Sequence, residues 1–168
     1  MRPRPWIRAT LGASTVVILA TLARADAPQT QYNLFNNNSD VIQDLQTGLY
    51  WQRYPSAAEL SFDAAAAYCG QVSLDTLTSG WRVPSYKELQ TLVDESPHYE
   101  YENGQLVEKW IDGNAFLGAL ASPVLMADYW TSSAYPVLPA GYAYTVNFNA
   151  GVGHSQSMPS SQYVRCVH

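Results

Sequence analysis

The sequence predicts an α+β domain: two helices in its first half, then a twisted antiparallel sheet, closed by one disulfide. Three observations carry that prediction. "SFDAAAAYCGQV" and "PSYKELQTLV" each place a serine before apolar residues at helical spacing. From Tyr129 onward, short alternating segments rich in Tyr, Thr, Ser and Val follow one another between glycines. Cys69 and Cys166 are the two cysteines of the chain. An even pair in an exported protein is most simply bonded, two free thiols being the alternative.

Export itself is read from the first residues. Arg2, Arg4 and Arg8 precede an uncharged apolar run from Leu11 to Leu22. Ala23-Arg24-Ala25 and Ala25-Asp26-Ala27 then offer small-x-small cleavage sites. This is the pattern of a secretory signal peptide over residues 1–25. The run is short for a membrane span, so no membrane insertion is expected. No cysteine follows the cleavage region, so no lipid anchor is expected. The expected location is periplasmic or extracellular. Cleavage would remove Arg2, Arg4, Arg8 and Arg24 and no acidic residue, taking the formal charge from −5 to −9. So acidic a surface disfavours nucleic acid, anionic lipid and sulfated polysaccharide.

Residues 26–43 are polar and Asn-rich and read as a flexible lead-in with a short strand at its end. The folded domain is expected over residues 44–168. Thr47-Gly48 marks a turn between two short strands in "VIQDLQTGLYWQR". In the first helix, Ser61 is the expected cap, Asp63 suits the first turn, and Gly70 suits the end. Phe62, Ala65, Ala66 and Cys69 share one face. In the second, Pro84 stiffens the entry, Ser85 and Glu88 fit a capping box, and Leu89, Leu92 and Val93 supply the buried face. "HYEYENGQLVEKW" is a hairpin about Asn103-Gly104. A largely irregular stretch follows, with one helical turn near Phe116 to Leu120. "YWTSSAY", "YAYTVNFN" and "QYVRCVH" are strands, with "GHSQS" as a further short one; Gly151 and Gly153 punctuate them.

"TGLYWQ", "AAAYC", "WRVPSYKELQTLVD", "YWTSS" and "YVRCV" together resemble the Legionella collagen-like protein C-terminal domain family in order and spacing. The resemblance covers about Asp44 to His168. It implies a variant of the C-type lectin fold, which also hosts the formylglycine-generating enzymes. "WRVPSYKEL" is similar to the helix start of those enzymes, and "YVRCV" to their closing strand. In such folds a cysteine of the first helix commonly bonds the last strand, as Cys69 and Cys166 would, and the chain ends pair in the sheet. The resemblance further implies recognition of a glycan or cell-surface polymer, as in adhesion. This chain has no Gly-x-y repeat, and its acidity points to a neutral glycan or a surface protein instead. The oligomeric state is left open.

Individual residues divide between scaffold and ligand. Trp51 and Trp81 are expected in the core with bonded indole N–H groups. Arg82 and Arg165 are expected to brace carbonyls or carboxylates through their planar forks, and Pro84 and Glu88 to set the helix start. No catalytic residue is assigned. Both cysteines are taken by the bridge, and Ser132 and Ser133 have no evident base. No cofactor is expected. Asp94, Glu95, His98, Glu100 and Glu102 lie close enough to raise Ca²⁺, but alternate hairpin residues point apart, and a solvated acidic hairpin is the preferred reading. The late segment has the composition of a recognition surface, the alternative being an ordinary Tyr-rich sheet with exposed polar loops. Trp130, Ser132, Tyr135, Asn147, Asn149, His154 and Gln156 are its candidate ligand-binding residues. Alternation puts Tyr142, Tyr144, Val146 and Phe148 toward the core, leaving the Asn147 side for contact. The alternatives are an envelope protein–protein interaction subunit and an enzyme related to the formylglycine-generating ones.

Overall fold

The computed structural model describes residues 30–37, 40–102, 104–117, 127–136 and 140–168. The expected signal peptide lies outside the described residues, as does the far end of the helical turn expected near Phe116 to Leu120.

The chain enters through an antiparallel sheet of β1 (Tyr32–Leu34), β2 (Val41–Asp44) and β3 (Tyr50–Gln52), in that order. The residues read as a lead-in therefore supply two strands rather than one. Asp44 makes the β2–β3 turn. Its Oδ1 accepts from the Gln46 and Thr47 N–H groups at 2.9 and 3.4 Å, and its Oδ2 from the Thr47 hydroxyl at 2.7 Å. Gly48 follows with φ +76°, which a side chain would resist.

α1 spans Phe62–Gln71 and buries Ala65 and Cys69. Ser61 occupies the cap position, but its side chain makes no capping bond. The Phe62 N–H is met instead by the Met158 carbonyl, 3.0 Å away. Gly70 lies inside the helix and Ala66 on its exposed side. α2 is short, Tyr86–Gln90, and carries the full capping box: Ser85 Oγ accepts from Glu88 N–H and Glu88 Oε2 from Ser85 N–H. Leu89 and Leu92 are buried below it. β4 (His98–Glu102) and β5 (Gln105–Lys109) form the hairpin, with Gly104 at φ +80°. A turn follows the hairpin, where Phe116 N–H donates to Asp112 O at 2.9 Å.

β6 (Asp128–Ala134), β7 (Tyr142–Asn147) and β8 (Val152–Ser157) make an antiparallel sheet in sequence order, with an irregularity in β6 between Trp130 and Ala134. "GHSQS" is thus a strand, and Gly153 lies within it. The terminal "QYVRCVH" makes isolated bridges instead of a continuous strand. Val167 pairs with Trp51 on one side and Arg82 on the other, and Tyr163 runs parallel to Tyr129. His168 and Tyr50 exchange both backbone bonds, at 2.8 and 3.2 Å.

This arrangement creates two cores. Ile42, Trp51, Leu89, Phe116, Tyr129, Val146 and Val167 join one; Val41, Ala65, Cys69, Trp81, Trp130, Ala143, Val164 and Cys166 join the other. Adjacent residues of β2, β6 and the terminal segment fall in opposite clusters, as strand alternation requires. These strands are therefore covered on both faces. Cys69 and Cys166 are disulfide-bonded, with Cα atoms 5.5 Å apart.

Candidate functional site

The stretch "GWRVPSYKEL" is built as scaffold. Trp81 is buried and its Nε1–H donates to Leu77 O at 2.8 Å. Arg82 exchanges backbone bonds with Val167 at 2.9 Å while its guanidinium grips both oxygens of Glu88, at 2.9 and 2.6 Å. The Arg82 bond, with the Ser85 bonds, holds the Glu88 carboxyl down to about 2, although burial opposes the shift. Pro84 is buried and its carbonyl accepts the Ser132 N–H at 2.7 Å, joining the helix start to β6. Trp51 is fully enclosed, but its Nε1 lacks a partner among the described residues.

Arg165 braces carbonyls as expected, and does so from the interior. Its Nη1 donates to Gln52 O at 2.7 Å and to Arg53 O, and its Nη2 to Leu117 O at 3.4 Å. The guanidinium also lies over the rings of Phe116 and Tyr129, 5.0 and 5.8 Å from their centroids. Burial lowers its pKa, and burial pushes the Tyr129 phenol up to about 12 against the pull of Arg165.

The late candidates separate into three groups. Trp130 is not available to a ligand. It is 0% exposed, its Nε1–H donates to Leu60 O at 2.7 Å, and Phe62 meets its ring edge-on at 5.7 Å. Asn147, His154 and Gln156 share one face of the sheet by register. That face is not left open as alternation alone suggested, because Ala143 and Thr145 on it are fully buried. Asn147 is spent on the turn after β7, where its Oδ1 accepts Asn149 N–H at 2.8 Å; the Asn149 residue itself is exposed. His154 is exposed, and the half-buried Gln156 reaches Asp128 Oδ2 at 3.5 Å. Ser132 is exposed and its hydroxyl donates to Pro84 O at 3.3 Å.

Tyr135 belongs to the opposite face, in a group that sequence reading did not assemble. Its ring meets Tyr144 edge-on at 5.0 Å, and Tyr144 stacks on Tyr86 at 4.6 Å with 29° between planes. Gln90 donates to the Tyr86 hydroxyl at 2.8 Å, and Tyr142 is 37% exposed on the same face by alternation. All three stacked rings are half-buried. Tyr86 reaches this position because β8 has Gly153 beneath it: a Cβ there would run into the Tyr86 hydroxyl and stand 2.7 Å from its ring carbons. Gly151 makes the same room for Trp110, whose ring lies 2.6 Å from the place a Cβ would take. The glycines that read as strand breaks are thus seats for aromatic rings. Their signal was present, since two glycines one residue apart beside a strand suggest close approach.

Of the acidic stretch, the side chains of Glu100 and Glu102 lie outside the described residues. Asp94 is buried and holds His98 Nε2 at 3.0 Å; no three His, Cys, Asp or Glu residues among the described ones could hold a metal. Tyr99, Tyr101 and Leu106 instead stand 60, 79 and 57% exposed. No helix among the described residues is long and apolar enough to cross a membrane.

Among the described residues, two short α-helices, three small antiparallel sheets and a helix-to-terminus disulfide define the class, a disulfide-bonded α+β domain. Within that class the chain belongs to the Lcl C-terminal domain family, whose model matches residues 40–168. The match begins at Asp40 and so takes in β2, four residues ahead of the expected boundary. No curated protein and no solved structure matches the chain significantly.

Proposed function

We propose that the chain is an exported, non-catalytic binding module of C-type lectin-like architecture that recognises a neutral glycan or surface polymer. The observation that carries the reading is the tyrosine group Tyr86–Tyr144–Tyr135, with Tyr142 and Gln90 beside it. Rings locked by stacking present amphipathic area at little entropic cost, and the neighbouring amide and hydroxyls supply hydrogen bonds. The bond from the first helix to the terminal segment, and the pairing of that segment with β3, support the lectin-like architecture. The acidity of the chain favours a neutral ligand.

A glycan array with the purified protein tests this, run with and without Ca²⁺ and at two salt concentrations. Metal-independent binding to neutral glycans is expected, weakened roughly tenfold by Tyr135→Ala, in line with about 1–1.5 kcal/mol for an aromatic contact. A silent array would turn attention to the second reading, an envelope protein-interaction subunit. The exposed Tyr99, Tyr101 and Leu106 of the hairpin favour that reading.

A further inference from the structure

We propose that a cleft between the first sheet and the Asp112–Ala115 turn is a second subsite, which takes one neutral sugar unit. This rests on the reading of the chain as a glycan binder, but the site uses none of the late tyrosines. The cleft holds about 400 Å³, within the range of roughly 300–1,000 Å³ usual for small-ligand sites. Ile42 and Leu34 give it an apolar wall, and Tyr32, Asp112, Asn114 and Arg53 a polar one. A sugar has the matching character: an apolar C–H face and hydroxyls that both donate and accept.

The polar wall is held in place before any ligand arrives. Asp112 Oδ1 accepts the N–H groups of Asn114 and Ala115, at 2.8 and 3.1 Å, which folds the turn. Arg53 fastens the same turn from outside, Nε to Ala115 O and Nη2 to Asn114 O, both at 3.3 Å. The Arg53 carbonyl is in turn gripped by Leu117 N–H and by the buried Arg165. A wall fixed in this way loses little freedom on binding. Asp112 lines the cleft, and its second carboxylate oxygen is assigned as the acceptor for a ligand hydroxyl. Tyr32 is the donor. Its ring sits edge-on to Phe116 at 4.9 Å, and burial, reinforced by Asp44, Asp94 and Asp112, keeps its phenol protonated far above the ordinary range. Those carboxylates oppose an anionic ligand and Arg53 opposes a cationic one.

The experiment is amide-detected NMR titration of the full purified protein with the methyl glycosides of glucose, galactose, mannose and N-acetylglucosamine. Saturable shifts of the amides at 32–34 and 112–115 are expected with at least one glycoside. Asp112→Asn keeps the oxygen that folds the turn, and Tyr32→Phe keeps the ring contact; each should weaken binding at least fivefold while the remaining spectrum stays put. Shifts confined to β6–β8 would overturn the subsite and leave the glycan reading standing. Unchanged affinity in both variants would also overturn it. An absence of shifts with all four, alongside a silent array, would end both.

Discussion

Arg165 shows how one residue can set several elements at once. A buried guanidinium normally answers a carboxylate, yet this one answers three carbonyls and two aromatic faces. Its planar fork makes that geometry available, which a lysine ammonium would not. The carbonyls belong to Gln52, Arg53 and Leu117, so one cation fastens the end of β3 to Leu117, just past the Asp112–Phe116 turn. Glu88 has the opposite setting, near the surface. Its partner Arg82 is half exposed, so solvent screens the pair and its worth is about 1 kcal/mol or less. The sign follows from the direction of the shift. The folded carboxyl sits at about 2, below its ordinary 4.5, so its contribution is complete above pH 4.5 and fades as pH falls toward 2. Urea melts between pH 2 and 7 should therefore show wild type more stable than Glu88→Gln at neutral pH, with the gap closing on acidification. A gap that stayed constant down to pH 2 would rule out the ion pair as its source. Both roles were readable from sequence in kind: the capping box by spacing, the bracing arginines by the chemistry of their side chains. The carbonyls gripped by Arg165 were not, because Gln52 and Arg53 lie more than a hundred positions away.

At the scale of elements, most local signals were faithful, the Ser61 cap and the Gly70 stop of α1 excepted, and coverage was not. The turn at Gly48, the box at Ser85 and the hairpin at Gly104 all depend on a few neighbouring residues, and all formed where the sequence predicts them. Alternation correctly sorted β7 into two sets, but it cannot say what packs on each set. α1 and the terminal segment cover the Ala143 side, and α2 lies against the Tyr144 side. Each side is therefore part core and part surface: Val146 and Phe148 are buried beside the half-buried Tyr144, as Ala143 and Thr145 are beside the half-buried Asn147. Gly153 is where the packing on the Tyr144 side is tested. Gly153→Ala would drive a methyl into the Tyr86 hydroxyl and to 2.7 Å from its ring carbons, so the ring must leave its stack on Tyr144. We expect a loss of about 1–3 kcal/mol, typical of overpacking. Thermal unfolding of the double-mutant cycle with Tyr86→Ala reads the cause, since the alanine at 153 should cost little once the ring is gone. Additive losses would mean that β8 itself, and not the tyrosine seat, resists the methyl group. The same substitution should weaken glycan binding wherever the tyrosine surface is the site.

The whole molecule is closed by contacts between its early and late residues. The terminal segment is hydrogen-bonded to β3 and to Arg82, and Cys166 is bonded to α1 across a sequence separation of 97. Closing a loop of that length restricts the unfolded chain by about 4–5 kcal/mol in the chain-entropy model. A domain of this size has roughly 5–15 kcal/mol in total, so the bridge is a large share of its stability. It also sits inside the second core, beside Trp81, Trp130 and Val164, where its loss would loosen the packing that fixes β6. The position of β6 in turn sets Tyr135 against Tyr144. Reduction should then lower the melting temperature by roughly 10–20 °C, at a few degrees per kcal/mol for a chain of this length. Cys69→Ser with Cys166→Ser should do the same without any reductant. Scanning calorimetry of oxidised, reduced and double-serine protein distinguishes the cases. If all three melt within a few degrees of one another, the backbone pairing of the terminal segment suffices to close the fold, and the bridge is a passenger. If reduced and double-serine forms fall together, folding depends on a compartment that oxidises thiols. That dependence would tie the fold to the exported location that the basic and apolar first residues suggest.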